Sequence, residues 1–174
     1  SLRWYRQMVG IASVGDTTVV SNKWMLGTRN SFIVGISATF LATALGTVAA
    51  LGLSRPNMPF KGTIMAVLIS PMIVPLIITS AGMFFFYSKI GLTHTYLGLI
   101  LAHTALGTPF VVITVTATLT GFDTNLIRAS QSLGADTMRT FFKVIMPLIL
   151  PGVISGALFA FITSFDEVVV VMFI

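Results

Sequence analysis

Residues 30–54, 62–88 and 144–165 contain no Asp, Glu, Lys or Arg, and these runs are 25, 27 and 22 residues long. About 20 apolar residues cross a bilayer as a helix, so runs of this length read as membrane spans. Charged residues make up only 9% of the chain. A soluble domain carries about 25% and needs them to cover its surface, so a soluble globule is excluded. The mean hydropathy of +0.97 agrees. The expected fold is all-α, a polytopic transmembrane bundle of about four spans, at residues 31–53, 63–88, 96–122 and 147–174. The whole of 1–174 is expected to form one membrane domain, with 1–28 as an external, interfacial segment and 123–146 as the longest polar loop. Trp4, Tyr5 and Trp24 suit an interfacial belt in the first of these segments.

Within the first span, Gly35, Ala38, Ala42, Gly46 and Ala49 recur three or four residues apart. In lipid no hydrophobic drive pulls helices together, and small residues let backbones approach closely. This span is therefore expected to pack on others. The second span holds Pro71 and Pro75. Each removes a helix hydrogen bond, so the span is either kinked for packing or broken beside a cavity. The chain opens on Ser1 and stops at Ile174 within an apolar run, which reads as a portion of a longer chain.

Zero cysteines exclude disulfides, thiolate metal sites and a Cys nucleophile. The ten Lys and Arg are scattered, so no nucleic-acid partner is expected; they flank spans and address the lipid bilayer. Their count is even between the two sides: Arg55, Lys61, Arg128, Arg139 and Lys143 against Arg3, Arg6, Lys23, Arg29 and Lys89. Orientation by charge alone is therefore nearly balanced. No Walker loop, His-Glu-x-x-His or Gly-x-Ser-x-Gly is present, so the chain reads as non-catalytic, with no metal and no cofactor of its own.

The polar loop has the most specific pattern. Asp123 or Thr124 can cap a short helix over 125–133, and Gly134 can end it. Asp136 can cap a second helix that carries Met138, Arg139, Phe141 and Phe142. Pro147 and Pro151 are expected to mark the entrance of the last span. Two short helices with apolar tips suit either docking into a partner or plain connection.

Residues 128–147 resemble the cytoplasmic loop of permease subunits in binding-protein-dependent ABC importers. That motif runs Glu-Ala-Ala, three residues, Gly, nine residues, then Ile-x-Leu-Pro. Here it reads Arg128-Ala129-Ser130, Gly134, Ala135, and Val144-Ile145-Met146-Pro147. Arg128 replaces the motif's Glu, which sets aside any ion pair carried over to that position. Beyond the loop, Leu99-Ile100-Leu101-Ala102-His103, Gly156-Ala157-Leu158-Phe159-Ala160-Phe161 and Ser164-Phe165-Asp166-Glu167 are similar to the second permease subunit of spermidine/putrescine importers. So is Ser1 to Tyr5.

The resemblance implies a type I ABC importer permease fold, of which this chain would hold four spans out of six. It also implies a multi-pass location in the bacterial inner membrane, with residues 123–146 on the cytoplasmic side. The implied partners are two copies of an ABC ATPase that uses ATP and Mg, a second permease subunit (a heterodimer), and a periplasmic substrate-binding protein. The implied function is ATP-driven import of a small polar solute, a polyamine first. Another amine, an amino acid or a sugar is the alternative substrate, and a secondary transporter or channel subunit the alternative class.

Asp166 and Glu167 follow 22 uncharged residues, which puts them near the outer end of the last span. A carboxylate at that depth faces a cavity or a partner. Either one of the pair meets a substrate ammonium, or both lie at the interface, solvated or paired with Lys or Arg of the partner permease. Phe85 and Tyr87, within the Phe84–Tyr87 cluster, offer either a cation–π surface or an interfacial belt. His103 is expected to be neutral and hydrogen-bonded to a neighbouring helix.

Overall fold

A computed structural model describes residues 18–55, 57–123 and 125–174. Trp4, Tyr5 and the start of the expected interfacial segment lie outside the described residues. The described chain is helical: α1 (Thr18–Leu53), α2 (Lys61–Ile73), α3 (Leu76–Ile90), α4 (Tyr96–Thr120), α5 (Asn125–Ser132), α6 (Thr137–Asp166) and α7 (Val169–Phe173). The all-α membrane bundle read from the sequence is what the structure has. Three helices, Trp24–Leu53 within α1, α4 and α6, are each long and apolar enough to cross a membrane.

The bundle core is the packing of α1, α4 and α6 on one another. Ala38, Ala42 and Ala50 are at most 1% exposed, as are Val111, Val115, Ile149 and Ala160 on the other two helices. The small residues of α1 thus form the contact stripe, which ends on Ala50 because the helical repeat carries that residue inward and leaves Ala49 half-buried. A Cβ on Gly107 would stand 3.0 Å from the Cβ of Ala160 and 3.4 Å from that of Ala42. A Cβ on Gly46 would stand 2.6 Å from that of Val111. Close approach requires glycine at Gly46, and at Gly107 a side chain would press Ala160 and Ala42 back by a few tenths of an ångström. The pairings also fix direction. Ala42 and Gly46 meet Gly107 and Val111, so α1 runs parallel to α4; Gly107 and Gly156 meet Ala160 and Val111, so α6 runs antiparallel to both.

Two parallel helices joined in sequence need a return crossing between them, and α2 with α3 supplies it. Together they pass as one apolar span, bent by 103°. Of the two sequence options for this span, the structure has the broken helix. Val74 is extended at φ −73° and ψ 134°, the conformation that a following proline imposes. Pro75 has no N–H to give the carbonyl of Pro71, so the ladder stops there. The carbonyl of Pro75 then accepts from Ile78 and starts α3. Pro71 sits inside α2.

The last span differs from its expected course at both ends. Pro147 and Pro151 do not begin it: α6 starts at Thr137 and runs 30 residues through a π-helical turn at Phe141–Ile145. Proline lacks the N–H that would close the regular ladder, and the wider turn just before Pro147 absorbs the defect. The helix then stops at Asp166, not at 174. Glu167 takes an extended conformation, and α7 restarts two residues later. The turn between α3 and α4 lies at that same end, where the His94 N–H donates to the Ile174 carbonyl at 2.6 Å.

Replacing Gly46 with Val should lower the thermal midpoint of the detergent-solubilised protein, since overpacking costs about 1–3 kcal/mol. Gly82→Ala, on an exposed stretch of α3 with nothing within 4 Å, should leave the midpoint unchanged or raise it, through a backbone-entropy gain of up to about 1 kcal/mol. Equal midpoints for Gly46→Val and the parent would refute close packing at α1.

Candidate functional site

The bundle presents chemistry at both ends. At one end α5 and the first turns of α6 form a compact corner. The Asp123 carboxylate accepts from the Asn125 N–H at 2.9 Å and opens α5. At its other end Gly134 stands at φ +80°, a left-handed conformation that favours glycine. The Gly134 N–H donates to Gln131, and the Ala135 N–H reaches back to Ser130 at 3.0 Å. This pair of bonds is a Schellman stop. Asp136 then caps α6, its carboxylate accepting from the Arg139 N–H at 2.7 Å.

One hydrogen bond ties the two helices together. Ser130 Oγ donates to the Ile127 carbonyl and accepts from Thr140 Oγ1 at 2.9 Å. Thr140 is 3% exposed. Sequence reasoning missed Thr140, because a threonine between Arg139 and Phe141 carries no signal until its partner ten positions away is known. The apolar side chains of this corner point outward: Leu133 is 88% exposed, Met138 65% and Phe142 59%. Leu133 was also missed. Phe141 is half-buried, with its ring edge-on to Phe142. Arg128, Ala129, Arg139 and Pro147 are exposed, and Ala135 is half-buried. By helix rise α6 is about 45 Å long, more than an untilted crossing of a hydrocarbon core of about 30 Å needs, and its charged residues Arg139 and Lys143 lie in its first turns.

At the opposite end, the break after Asp166 separates the two acidic residues. Asp166 is exposed at the helix end. Glu167 is half-buried, and its Oε1 accepts from the Val170 N–H at 3.0 Å, capping α7. Glu167 lines two cavities. One, of about 380 Å³, lies against the α2–α3 break with Val74, Pro75, Phe110 and Thr163. The other, of about 320 Å³, lies against α1 and α4 and includes Asn30, His103 and Ser164. His103 is 2% exposed, and its Nδ1 is hydrogen-bonded to Ser164 Oγ at 2.7 Å. Phe85 and Tyr87 line neither cavity. Phe85 is 67% exposed, on the outer face of α3. Tyr87 turns inward and packs with Ala102, Leu106 and Val170, because residues two apart on a helix point about 200° apart, to nearly opposite sides.

Residues 42–174 match the model of a family described as the binding-protein-dependent transport system inner membrane component. The spermidine/putrescine transport system permease protein PotC of Haemophilus influenzae is 32% identical over 145 residues, covering 83% of this chain and 56% of that protein. Its Escherichia coli K12 counterpart is 33% identical over 138 residues, covering 79% and 52%. An osmoprotective compounds uptake permease protein from Synechocystis is 29% identical over 143 residues, covering 82% and 48%. The chain thus spans about half the length of the relatives it matches.

Asp136→Ala should remove the cap of α6, worth about 1 kcal/mol. Backbone hydrogen exchange at Arg139, whose N–H the cap accepts, should then run about fivefold faster. An unchanged rate would mean that Gly134 and the Ser130–Thr140 bond hold the corner without the cap.

Proposed function

The chain belongs to the family of binding-protein-dependent transport system inner membrane components, and on that premise we propose that it is the permease subunit of an ATP-driven importer for a polyamine. The observation that carries the reading is the corner at Gly134. It is braced by the Gly134 turn and the Ser130–Thr140 bond, carries charged residues, and leaves Leu133, Met138 and Phe142 exposed. Exposed apolar side chains on a braced turn suit a groove on another protein.

In this reading the corner is cytoplasmic and seats in an ATPase subunit that binds ATP and Mg. Two ATPase copies, a second permease subunit and a periplasmic binding protein complete the transporter in the bacterial inner membrane. Closure of the ATPases on ATP pushes the corners, and each push travels along α6. Because α6 packs on α1 and α4 along much of its length, the three helices move together and alternate the access of the outer cavities. Gly134 sets the turn, while Ala129, Ser130, Asp136, Arg139 and Phe141 hold or frame it. Arg128 places a cation on the contact face where the family motif has a carboxylate.

Glu167 gives the outer end its selectivity for cations. It is the acidic residue that lines both cavities there, and a carboxylate beside apolar walls attracts an ammonium more strongly than one in open water. Asp166 adds a weaker, solvent-screened field. The relatives named for spermidine and putrescine support a polyamine. The relative named for osmoprotective compounds supports a second reading, with the same ATP-driven import and a different small solute.

The test is uptake of labelled spermidine by cells expressing the complete transporter. Glu167→Gln should lower uptake about tenfold or more at equal membrane abundance, the loss of one charge-assisted contact. Asp166→Asn should lower it less. Gly134→Val should abolish uptake while ATP hydrolysis by the complex no longer responds to the loaded binding protein. Spermidine uptake that is absent in the parent would remove the polyamine. ATP hydrolysis that still responds normally in Gly134→Val would remove the coupling role of the corner.

A further inference from the structure

The corner at Gly134 carries cations that its own acids do not balance. Asp123 and Asp136 are the only Asp or Glu between residues 17 and 165. Each has a carboxylate oxygen turned to the start of its own helix, on the Asn125 N–H and the Arg139 N–H. The same end of the bundle holds Arg55, Lys61, Arg128, Arg139 and Lys143, all exposed. At Arg128 the cation also stands where the family motif has a carboxylate.

The hydrogen bond between Ser130 and Thr140 fixes how these cations are placed. It turns the Ser130 side of α5 toward α6, so Arg128, about 160° around the helix from Ser130, lies on the outer side. On α6 the buried residue is Thr140. Met138 is about 200° around from it and exposed, and Phe142, one turn on, is exposed too. Arg139 and Lys143 follow Met138 and Phe142 in sequence and are likewise four apart, so a cationic row runs beside the apolar one.

A partner that covers Met138 and Phe142 therefore also covers part of Arg139 and Lys143. Taking a cation out of water with no counter-charge costs more than burial of one apolar side chain returns. A purely apolar groove would reject this corner. A groove with an apolar floor and carboxylates along its rim accepts it, and the charge pairs set its register. The Ser130–Thr140 bond and the Gly134 turn hold the cations at fixed positions. A protein rim can match fixed positions one for one, whereas a fluid headgroup layer has no use for them.

We propose that the corner docks in an acid-rimmed apolar groove of the ATPase subunit, with a carboxylate opposite Arg128. The inference rests on the ATPase-coupling reading and adds to it the charge of the partner's surface. It also makes Arg128 a residue of partner choice, since an ATPase with a cation at that place would be repelled.

The experiment is the dissociation rate of the ATPase subunits from the complete transporter held in lipid nanodiscs. It compares the parent with Arg128→Glu, Arg128→Lys and Leu133→Ser. Arg128→Glu should speed dissociation about tenfold or more at about 0.05 M NaCl, and the gap to the parent should close to about twofold at about 1 M. Arg and Glu have similar helix propensity, so α5 persists in this variant. Arg128→Lys keeps the charge and should stay within about threefold of the parent. Leu133→Ser removes an apolar contact and should speed dissociation at both salt concentrations. Equal low-salt rates for Arg128→Glu and the parent, with Leu133→Ser still faster, would overturn the acidic rim and leave the coupling reading standing. A charge effect seen in phosphatidylglycerol-containing discs and absent from pure phosphatidylcholine discs would assign the cations to lipid headgroups and overturn the rim as well. Equal rates in every variant would overturn both the rim and the coupling role of the corner.

Discussion

Where Ala42, Gly107 and Ala160 meet, three backbones come together with almost nothing between them, and the placement of the polar groups at the acidic end of the bundle follows from that contact. His103 lies one turn before Gly107 on α4, and Ser164 one turn after Ala160 on α6. Because the two helices are antiparallel and close at Gly107, His103 and Ser164 fall opposite each other one turn farther out, within 2.7 Å. Glu167 follows three residues later. Larger residues at the contact would spread the helices, and the hydrogen bond and the cavity beyond it would both be lost. In lipid this contact rests on packing, since lipid tails satisfy an apolar side chain as well as another helix does.

The same close packing makes α6 one continuous element from the corner at Asp136 to the break at Glu167. Its prolines would be expected to interrupt it, yet the π turn at Phe141–Ile145 lets the helix pass them. The true interruptions come elsewhere, at Val74–Pro75 and after Asp166, both beside cavities that Glu167 lines. Irregular backbone at membrane depth is tolerated where it borders a cavity or protein, and these two breaks conform to that rule. In the importer reading, the ATPase contact and the outer acidic group therefore sit at opposite ends of a single stiff rod.

Much of this organisation was legible beforehand. The charge-free runs announced the spans, and the small residues of α1 announced its buried stripe. Asp123, Gly134 and Asp136 each do locally what their chemistry suggested: two cap helices and one ends a helix at positive φ. Other features were not legible because they depend on partners far away in sequence. Thr140 matters only through Ser130. Tyr87 was grouped with Phe85, and the rotation of α3 buries one and exposes the other. That the Nε2 of His103 has no partner among the described residues becomes visible only when Ser164 is seen to occupy the other nitrogen.

What the sequence by itself determined is what is local or additive: spans long enough for a bilayer, caps and stops made by neighbouring residues, and the loop pattern between Arg128 and Pro147. What only the tertiary structure decided is which proline breaks a helix, where the last span ends, and which of two adjacent acids faces a cavity. Proline weakens a helix wherever it occurs, but whether the chain bends depends on whether neighbouring helices hold the flanking turns in line. Pro147 and Pro151 lie beside Ile149 and Gly152, which are packed in the core, and the helix continues. Pro75 follows α2, a helix with no buried residue, and there the chain turns.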